Sequence, residues 1–303
     1  MYRTNKVRFM LVSALLFVTA LSACIGGPTT SDVTGVVKVV AAENFYGDIA
    51  RQLGGSHISV TSIISNPNVD PHEYESNTQT AIAASNAQLV IENGLGYDAW
   101  MDKVLAGSPN ANRIVLTAGQ IANHMLPDNP HVWYGLDNMP AIAQAITNAL
   151  KQLDSKDAAF FNGNLTTFVQ SLTPLEQEIA AIKAKFTGTP VALTETIYLY
   201  QSMPEGLDVL TPFEFMKAIA EGNDPPADTV ATVNNQINNR QAKILIYNEQ
   251  TITPITTNLQ NEAKQRSIPI VPVTETMPSG KTYQMWMSDQ LDALQQALQQ
   301  ASK

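Results

Sequence analysis

Two of the four histidines in this sequence stand in short polar segments where a proline precedes the imidazole. His72 lies in the segment DPHEYE and His131 in the segment NPHVW. Proline fixes its own φ and restricts the residue before it, so each imidazole is presented on a preset backbone. Metal sites need ligands that are held in place before the ion arrives. These two histidines are therefore candidate metal ligands, whereas we interpret His57 and His124 as surface residues.

The second half of the chain has no histidine, but three of its predicted strands end in a glutamate. Glu195 closes PVALTE, Glu249 closes KILIYNE and Glu275 closes PIVPVTE. In parallel α/β sheets, ligands bind outside the carboxyl ends of the strands, so each glutamate stands where a ligand would. Imidazole suits zinc and carboxylate suits manganese, and four such ligands would fill a tetrahedral zinc site without a water to activate.

Short β-branched runs alternate with helical segments on both sides of a helical middle, which predicts an α/β fold with parallel sheets. The predicted strands are 36–41, 58–64, 89–91, 114–116, 191–193, 244–247 and 270–273. Ser155 is a favoured N-cap residue and begins one long predicted helix that ends near Phe186. We therefore expect two similar lobes, 36–154 and 188–303, joined by one long rigid helix at 155–187, with the metal site in the cleft between them.

The N-terminus predicts export and lipid attachment. A positively charged start and a short apolar stretch form a signal peptide over 1–23, and the cleavage region LSAC resembles a bacterial lipobox. Cys24, the only cysteine, would then carry lipid, with 24–35 as a flexible tether that holds the protein outside the cell on its membrane. The net charge of -9 argues against a nucleic-acid partner and fits a cation.

The two Pro-His segments resemble the first and second ligand motifs of the zinc/manganese-type substrate-binding proteins of ABC transporters. The resemblance extends from Val36 to the C-terminus and includes AENFY near the start and NGLGYDAW in the middle of the first lobe. It implies that Glu195, followed five residues later by Tyr200, is the third ligand. It favours Glu275 over Glu249 as the fourth. A His-rich acidic loop before the second histidine, found in zinc-specialised members, is missing here.

The resemblance also implies a function. His72 and His131 from one lobe, with Glu195 and Glu275 from the other, would bind Zn2+ or Mn2+ as cargo and deliver it to a permease and its ATPase. We expect a monomer without enzymatic activity. A metal-dependent hydrolase is one alternative, although it would need an open coordination position, and the motifs HExxH and GxSxG are missing. A surface adhesin lipoprotein with a structural metal is the other.

Overall fold

The computed structural model describes Met1, residues 35–66, Val69 and residues 74–302. The predicted signal peptide, Cys24 and His72 lie outside the described residues. The chain divides after Thr34, so the described residues from Gly35 onwards belong to one compact unit. Among the helices that the structure describes, none is long and apolar enough to cross a membrane.

The first lobe is a four-stranded parallel sheet in the order β2-β1-β3-β4. Its strands are β1 (Val37–Glu43), β2 (Ile58–Ile64), β3 (Leu89–Glu92) and β4 (Ile114–Thr117). Its helices are α1 (Asn44–Gly54), α2 (Thr78–Asn86), α3 (Ala99–Gly107), α4 (Ala118–Ile121) and α5 (Met139–Leu153). Alternate residues of β1 enter different apolar clusters on the two faces of the sheet, as expected for a parallel sheet that is covered on both sides.

The second lobe repeats this plan with a parallel sheet in the order β6-β5-β7-β8. Its strands are β5 (Pro190–Leu193), β6 (Asp208–Val209), β7 (Ile244–Asn248) and β8 (Ile270–Val273). Its helices are α8 (Leu199–Glu205), α9 (Phe213–Ala220), α10 (Ala227–Asn238), α11 (Pro254–Gln265) and α12 (Tyr283–Ala301). The predicted fold class, two α/β lobes with parallel sheets, is confirmed.

The connection between the lobes is a rod of two consecutive helices, α6 (Ala158–Ser171) and α7 (Thr173–Phe186), and not one uninterrupted helix. Leu172 between them keeps helical dihedral angles, φ -81° and ψ -20°, so the rod continues although its hydrogen-bond ladder breaks. Pro174 explains the break, because it has no N–H to donate to the carbonyl of Gln170. Ser155 does not cap the rod but lies in a 3-10 turn before it.

One apolar core runs through both lobes. At its centre Phe45 of α1 stacks on Trp133, with ring centroids 4.6 Å apart and planes inclined by 22°. Trp286 of α12 approaches Phe45 and Tyr134 at centroid distances of 5.9 Å. These aromatic side chains come from different lobes, so burying them together packs the two lobes against each other.

Candidate metal centre

The structure brings His131, Glu195 and Glu275 together between the lobes. One ligand atom of each lies within 4.8 Å of the others. His131 and Glu275 are 0% exposed and Glu195 is 1% exposed. Two ligand atoms that are each about 2 Å from one ion lie at most about 4 Å apart, so one ion could bind all three side chains after small side-chain movements.

Each of these side chains stands just beyond a regular element. His131 precedes a 3-10 turn at Val132–Tyr134 in the first lobe. Glu195 and Glu275 each follow a strand of the second lobe by two residues, after β5 and β8 respectively. The carboxyl ends of these strands lie at one edge of a parallel sheet, where α/β proteins bind ligands.

Asn129 fixes the imidazole of His131. Its Oδ1 accepts from the backbone N–H of His131 at 3.1 Å and lies 2.8 Å from Nδ1 of the ring. Its Nδ2 donates to the carbonyl of Thr196 at 2.8 Å, which fixes the orientation of the amide. An amide oxygen only accepts, so Nδ1 carries the proton and Nε2 keeps the lone pair that a metal needs.

Asn248 joins the two carboxylates. Its Nδ2 donates to Oε1 of Glu195 at 2.5 Å and to Oε1 of Glu275 at 2.7 Å. Asn248 is the last residue of β7, the strand between β5 and β8, and it is fully buried. One side chain therefore holds both glutamates at a fixed separation.

Glu275 has two further supports. The hydroxyl of Tyr97, from the first lobe, donates to its Oε2 at 3.0 Å. Its backbone N–H donates to Oε1 of Gln250 at 2.5 Å, and the same oxygen accepts from the N–H of Thr276. Gln250 also donates from Nε2 to the carbonyl of Val69 in the first lobe at 3.1 Å. The turn that carries Glu275 is thus bonded to both lobes.

Tyr200, predicted from its spacing after Glu195, lies behind the loop that carries His131. Its hydroxyl donates to the carbonyl of Asn129 at 3.2 Å and accepts from the N–H of Leu126 at 2.9 Å. Tyr200 is therefore a support for the histidine loop in the described structure.

Four other residues considered in the sequence lie away from this cluster or outside the described residues. Glu249 is exposed, because side chains alternate across a strand end and its neighbour Asn248 points into the cleft. His124 is exposed beside Asp137, as expected for a surface residue. His57, interpreted as a surface residue, has a side chain that is 29% exposed, and it pairs with Asp157 at 2.9 Å and packs on Phe160. His72 lies outside the described residues, so its place in the site stays a prediction.

Asn129, Asn248, Gln250 and Tyr97 were not singled out in the sequence. Asn248 precedes Glu249 at the end of a predicted strand. Because side chains alternate along a strand, only one of these two residues can point into the site, and this alternation is a signal in the sequence. Asn129 is part of the NPHVW segment itself. The roles of Tyr97 and Gln250 depend on partners more than 20 residues away in sequence, which no local pattern reveals.

Burial also perturbs acidic and phenolic groups near the strand ends. Burial raises the pKa of Asp98 to about 6 and that of Glu92 to about 7. It also raises the pKa of Glu43 well above 4.5, and neighbouring Asp98 and Glu92 add to this effect. The pKa of Tyr134 is raised well above 10.0 by burial first and then by the charges of Glu195 and Glu275. Negative charge from Glu195 and Glu275 thus adds to the shift at Tyr134, and a cation beside them would offset that charge.

The family model for zinc-uptake complex component A, periplasmic, matches residues 39–297. The chain belongs to this family. This is a family of metal-uptake components and not an enzyme family. His131, Glu195 and Glu275 all lie within the matched residues.

Curated proteins with sequences similar to this chain are metal ABC transporter substrate-binding lipoproteins. The manganese ABC transporter substrate-binding lipoprotein scaA of Streptococcus gordonii is 28% identical over 202 residues, which cover 61% of this chain and 63% of that protein. The match therefore spans less than two thirds of that relative. The metal ABC transporter substrate-binding lipoprotein FimA of Streptococcus parasanguinis is 26% identical over 96% of this chain and 97% of its own.

Solved structures share the fold. The periplasmic zinc binding protein TroA of Treponema pallidum superposes with a TM-score of 0.75 over 87% of this chain and 99% of its own, at 17% identity. The protein therefore has the same two-lobe fold as a known periplasmic metal-binding protein.

Proposed function

We propose that this protein binds zinc or manganese between its two lobes and delivers the ion to an ABC importer. The observation that carries the proposal is the buried cluster of His131, Glu195 and Glu275, whose ligand atoms lie within 4.8 Å of one another. These residues come from three separate parts of the chain and from both lobes. Buried carboxylates are costly unless they are paired or bind a metal, so two of them beside an imidazole suit a cation.

His72 is the fourth ligand in this proposal. It would add a second imidazole from the first lobe, giving two nitrogen and two oxygen ligands. Four protein ligands fill a tetrahedral zinc site, which suits binding and release of an ion rather than activation of water. The names of similar proteins include both metals, zinc for TroA and manganese for scaA, so both are candidate cargo.

Membrane attachment and the transport partners complete the proposal. Cys24 would carry lipid, and residues 24–35 would tether the binding lobes outside the cell. The lipoprotein names of scaA and FimA support this anchor, and their ABC transporter names support a permease and ATPase as partners. We take 36–154, 155–187 and 188–303 as the first lobe, the connecting rod and the second lobe, and the protein as a monomer.

Titration of zinc and manganese into the purified full-length protein in detergent tests the metal site. In separate variants, His131→Ala and Glu195→Ala each remove one ligand. We expect each to weaken binding by about 100-fold or more, because the lost ligand also leaves a buried partner unpaired. Isothermal calorimetry or chelator competition measures the dissociation constants.

Glu249→Ala is the matched control, since Glu249 is an exposed glutamate at the end of a neighbouring strand of the same sheet. It should bind both metals as the wild type does. Unchanged affinity in both His131→Ala and Glu195→Ala would reject the site and, with it, the transport proposal.

A further inference from the structure

The side-chain amide of Asn248 has a fixed orientation towards the two glutamates. Its Oδ1 accepts from the backbone N–H of Gln250 at 3.0 Å, so the NH2 group faces the carboxylates. The backbone N–H of Asn248 donates to Oγ1 of Thr194 at 3.1 Å, which fixes the residue at the strand end. Asn248 is 0% exposed, so water does not compete for the amide hydrogens.

Both amide hydrogens are used on carboxylate oxygens. Nδ2 lies 2.5 Å from Oε1 of Glu195 and 2.7 Å from Oε1 of Glu275, whereas Oγ1 of Thr251 is 2.8 Å away. An NH2 group has two hydrogens, and charged acceptors form the stronger bonds. One oxygen of each glutamate is therefore turned towards the positive end of the same amide dipole.

We infer that Asn248 sets the metal preference of the site by holding Glu195 and Glu275 as ligands that each give the ion one oxygen, which favours zinc over manganese. The inference rests on the proposed function. Each bond from Asn248 uses one lone pair of Oε1 and places an amide hydrogen beside it, so a cation binds more favourably at the other oxygen of each carboxylate. Chelation by both oxygens of one glutamate would bring the cation close to the amide hydrogens of Asn248 and weaken the bond to Oε1.

Coordination number connects this clamp to the choice of metal. Two imidazoles and two single carboxylate oxygens give four ligands, which is the tetrahedral set that zinc takes in proteins. Manganese prefers more oxygen ligands in an octahedral arrangement. Bidentate glutamates would provide those oxygens, and Asn248 opposes that change. Oε2 of Glu275 accepts from the hydroxyl of Tyr97, but a hydroxyl hydrogen can rotate away from an arriving cation, whereas the amide of Asn248 is held in place through Gln250.

The test is Asn248→Ala in the full-length protein, with dissociation constants for Zn2+ and for Mn2+ measured by chelator competition. We expect the ratio of the manganese constant to the zinc constant to fall about tenfold relative to the wild type, because both carboxylates gain the freedom to chelate. An unchanged ratio in a variant that still binds both metals would overturn the inference and leave the proposed function intact. A wild type that binds neither metal would reject the proposed function itself.

Gln250→Ala is the matched control, because Gln250 bonds to the backbone N–H of Glu275 but to neither carboxylate. It should shift both dissociation constants in parallel and leave their ratio unchanged; a fall as large as that of Asn248→Ala would refute a specific role for Asn248. X-ray absorption of zinc-loaded wild type tests the clamp without a variant. Four nitrogen or oxygen neighbours support it, and a bidentate carboxylate contradicts it.

Discussion

Single residues beside the proposed metal ligands set the chemistry of the cleft, because they fix the orientation of the ligand side chains. Asn129 sets the tautomer of His131, and Asn248 sets the spacing of Glu195 and Glu275. Both are neutral amides, which satisfy buried charged or polar partners without adding a charge of their own. The net negative charge of the cleft thus comes from the carboxylates and is left for the cation to balance.

Glu92 should make the stability of the protein depend on pH. It is 7% exposed at the end of β3, and its pKa is raised from 4.5 to about 7 by burial, with Asp98 and Asp102 adding to the shift. The folded state keeps a proton that the unfolded chain releases, so stability falls as pH rises from 4.5 to about 7. Glu92→Gln cannot ionise and should be more stable than the wild type at about pH 8, with a smaller difference at about pH 5.

Urea unfolding of the metal-free protein at both pH values measures this difference. Gln keeps the oxygen that accepts from the hydroxyl of Thr117 at 2.8 Å, so the substitution preserves that bond. Glu214→Gln, at an exposed position in α9, controls for the loss of one negative charge. An equal gain in both variants at about pH 8 would show that net charge, and not the buried proton, is responsible.

At the level of elements, the end of β7 and the loop after it carry Asn248 and Gln250, which hold the glutamates, and the start of α11 anchors this loop. The side chain of Thr253 accepts from the N–H of Thr256 at 3.1 Å, and the hydroxyl of Thr256 accepts from the N–H of Thr253 at 2.9 Å. The hydroxyl of Thr256 also donates to the carbonyl of Thr251, whose own hydroxyl lies 3.5 Å from Oε2 of Glu195 and 3.4 Å from Oε1 of Glu275. This reciprocal cap ends the loop at a defined residue.

Thr253→Ala should lower the free energy of unfolding by about 1 kcal/mol, because one N–H at the start of α11 loses its side-chain acceptor. Thr257→Ala lies on the exposed face of the same helix and should be neutral or slightly stabilising, since alanine has the higher helix propensity. Urea unfolding of both variants without metal gives the comparison. A loss in Thr253→Ala no larger than in Thr257→Ala would contradict the role of the cap.

The sequence predicted those elements that have strong local patterns. The range 58–64 for β2 and the end of the connecting rod at Phe186 agree with the structure. β6 has only two residues and α8 contains Pro204, so neither has a periodic pattern to detect. The preference for Glu275 over Glu249 rests on the family resemblance. In the structure, side chains alternate at the end of β7, so Asn248 points into the cleft and Glu249 points to solvent. The asparagine clamp was not predictable, since Asn248 and Glu195 are 53 residues apart.

On the scale of the whole molecule, hydrogen bonds join the lobes on both sides of the site. Asn44 of α1 exchanges two bonds with the backbone of Met277, at 2.6 and 3.0 Å. The hydroxyl of Tyr283 in α12 donates to the carbonyl of Trp133 at 2.7 Å. Together with the shared aromatic core and the connecting rod, these bonds hold the two lobes against each other, so the lobes are not joined by a flexible hinge. In the proposed function, release of an ion would therefore require the importer to work against a stable interface between the lobes.

A shared core predicts that the two lobes unfold together. Trp133 and Trp286 lie in the cluster that spans the lobes, whereas Trp100 belongs to the smaller cluster of the first lobe. In the Trp100→Phe variant, fluorescence therefore reports on the interface, while far-ultraviolet circular dichroism reports on the helices of both lobes. Coincident urea midpoints are expected for one cooperative unit.

Metal binding should then shift the urea midpoints measured by fluorescence and by circular dichroism by the same amount. At a free metal concentration about 100 times the dissociation constant, binding to the folded state alone adds about 2.7 kcal/mol to the free energy of unfolding. Because the three clustered ligands come from both lobes, neither lobe can keep the ion after the other unfolds. If metal instead separated the two curves, with fluorescence changing at a lower urea concentration than circular dichroism, the ion would be stabilising one lobe alone, and binding between the lobes would be wrong.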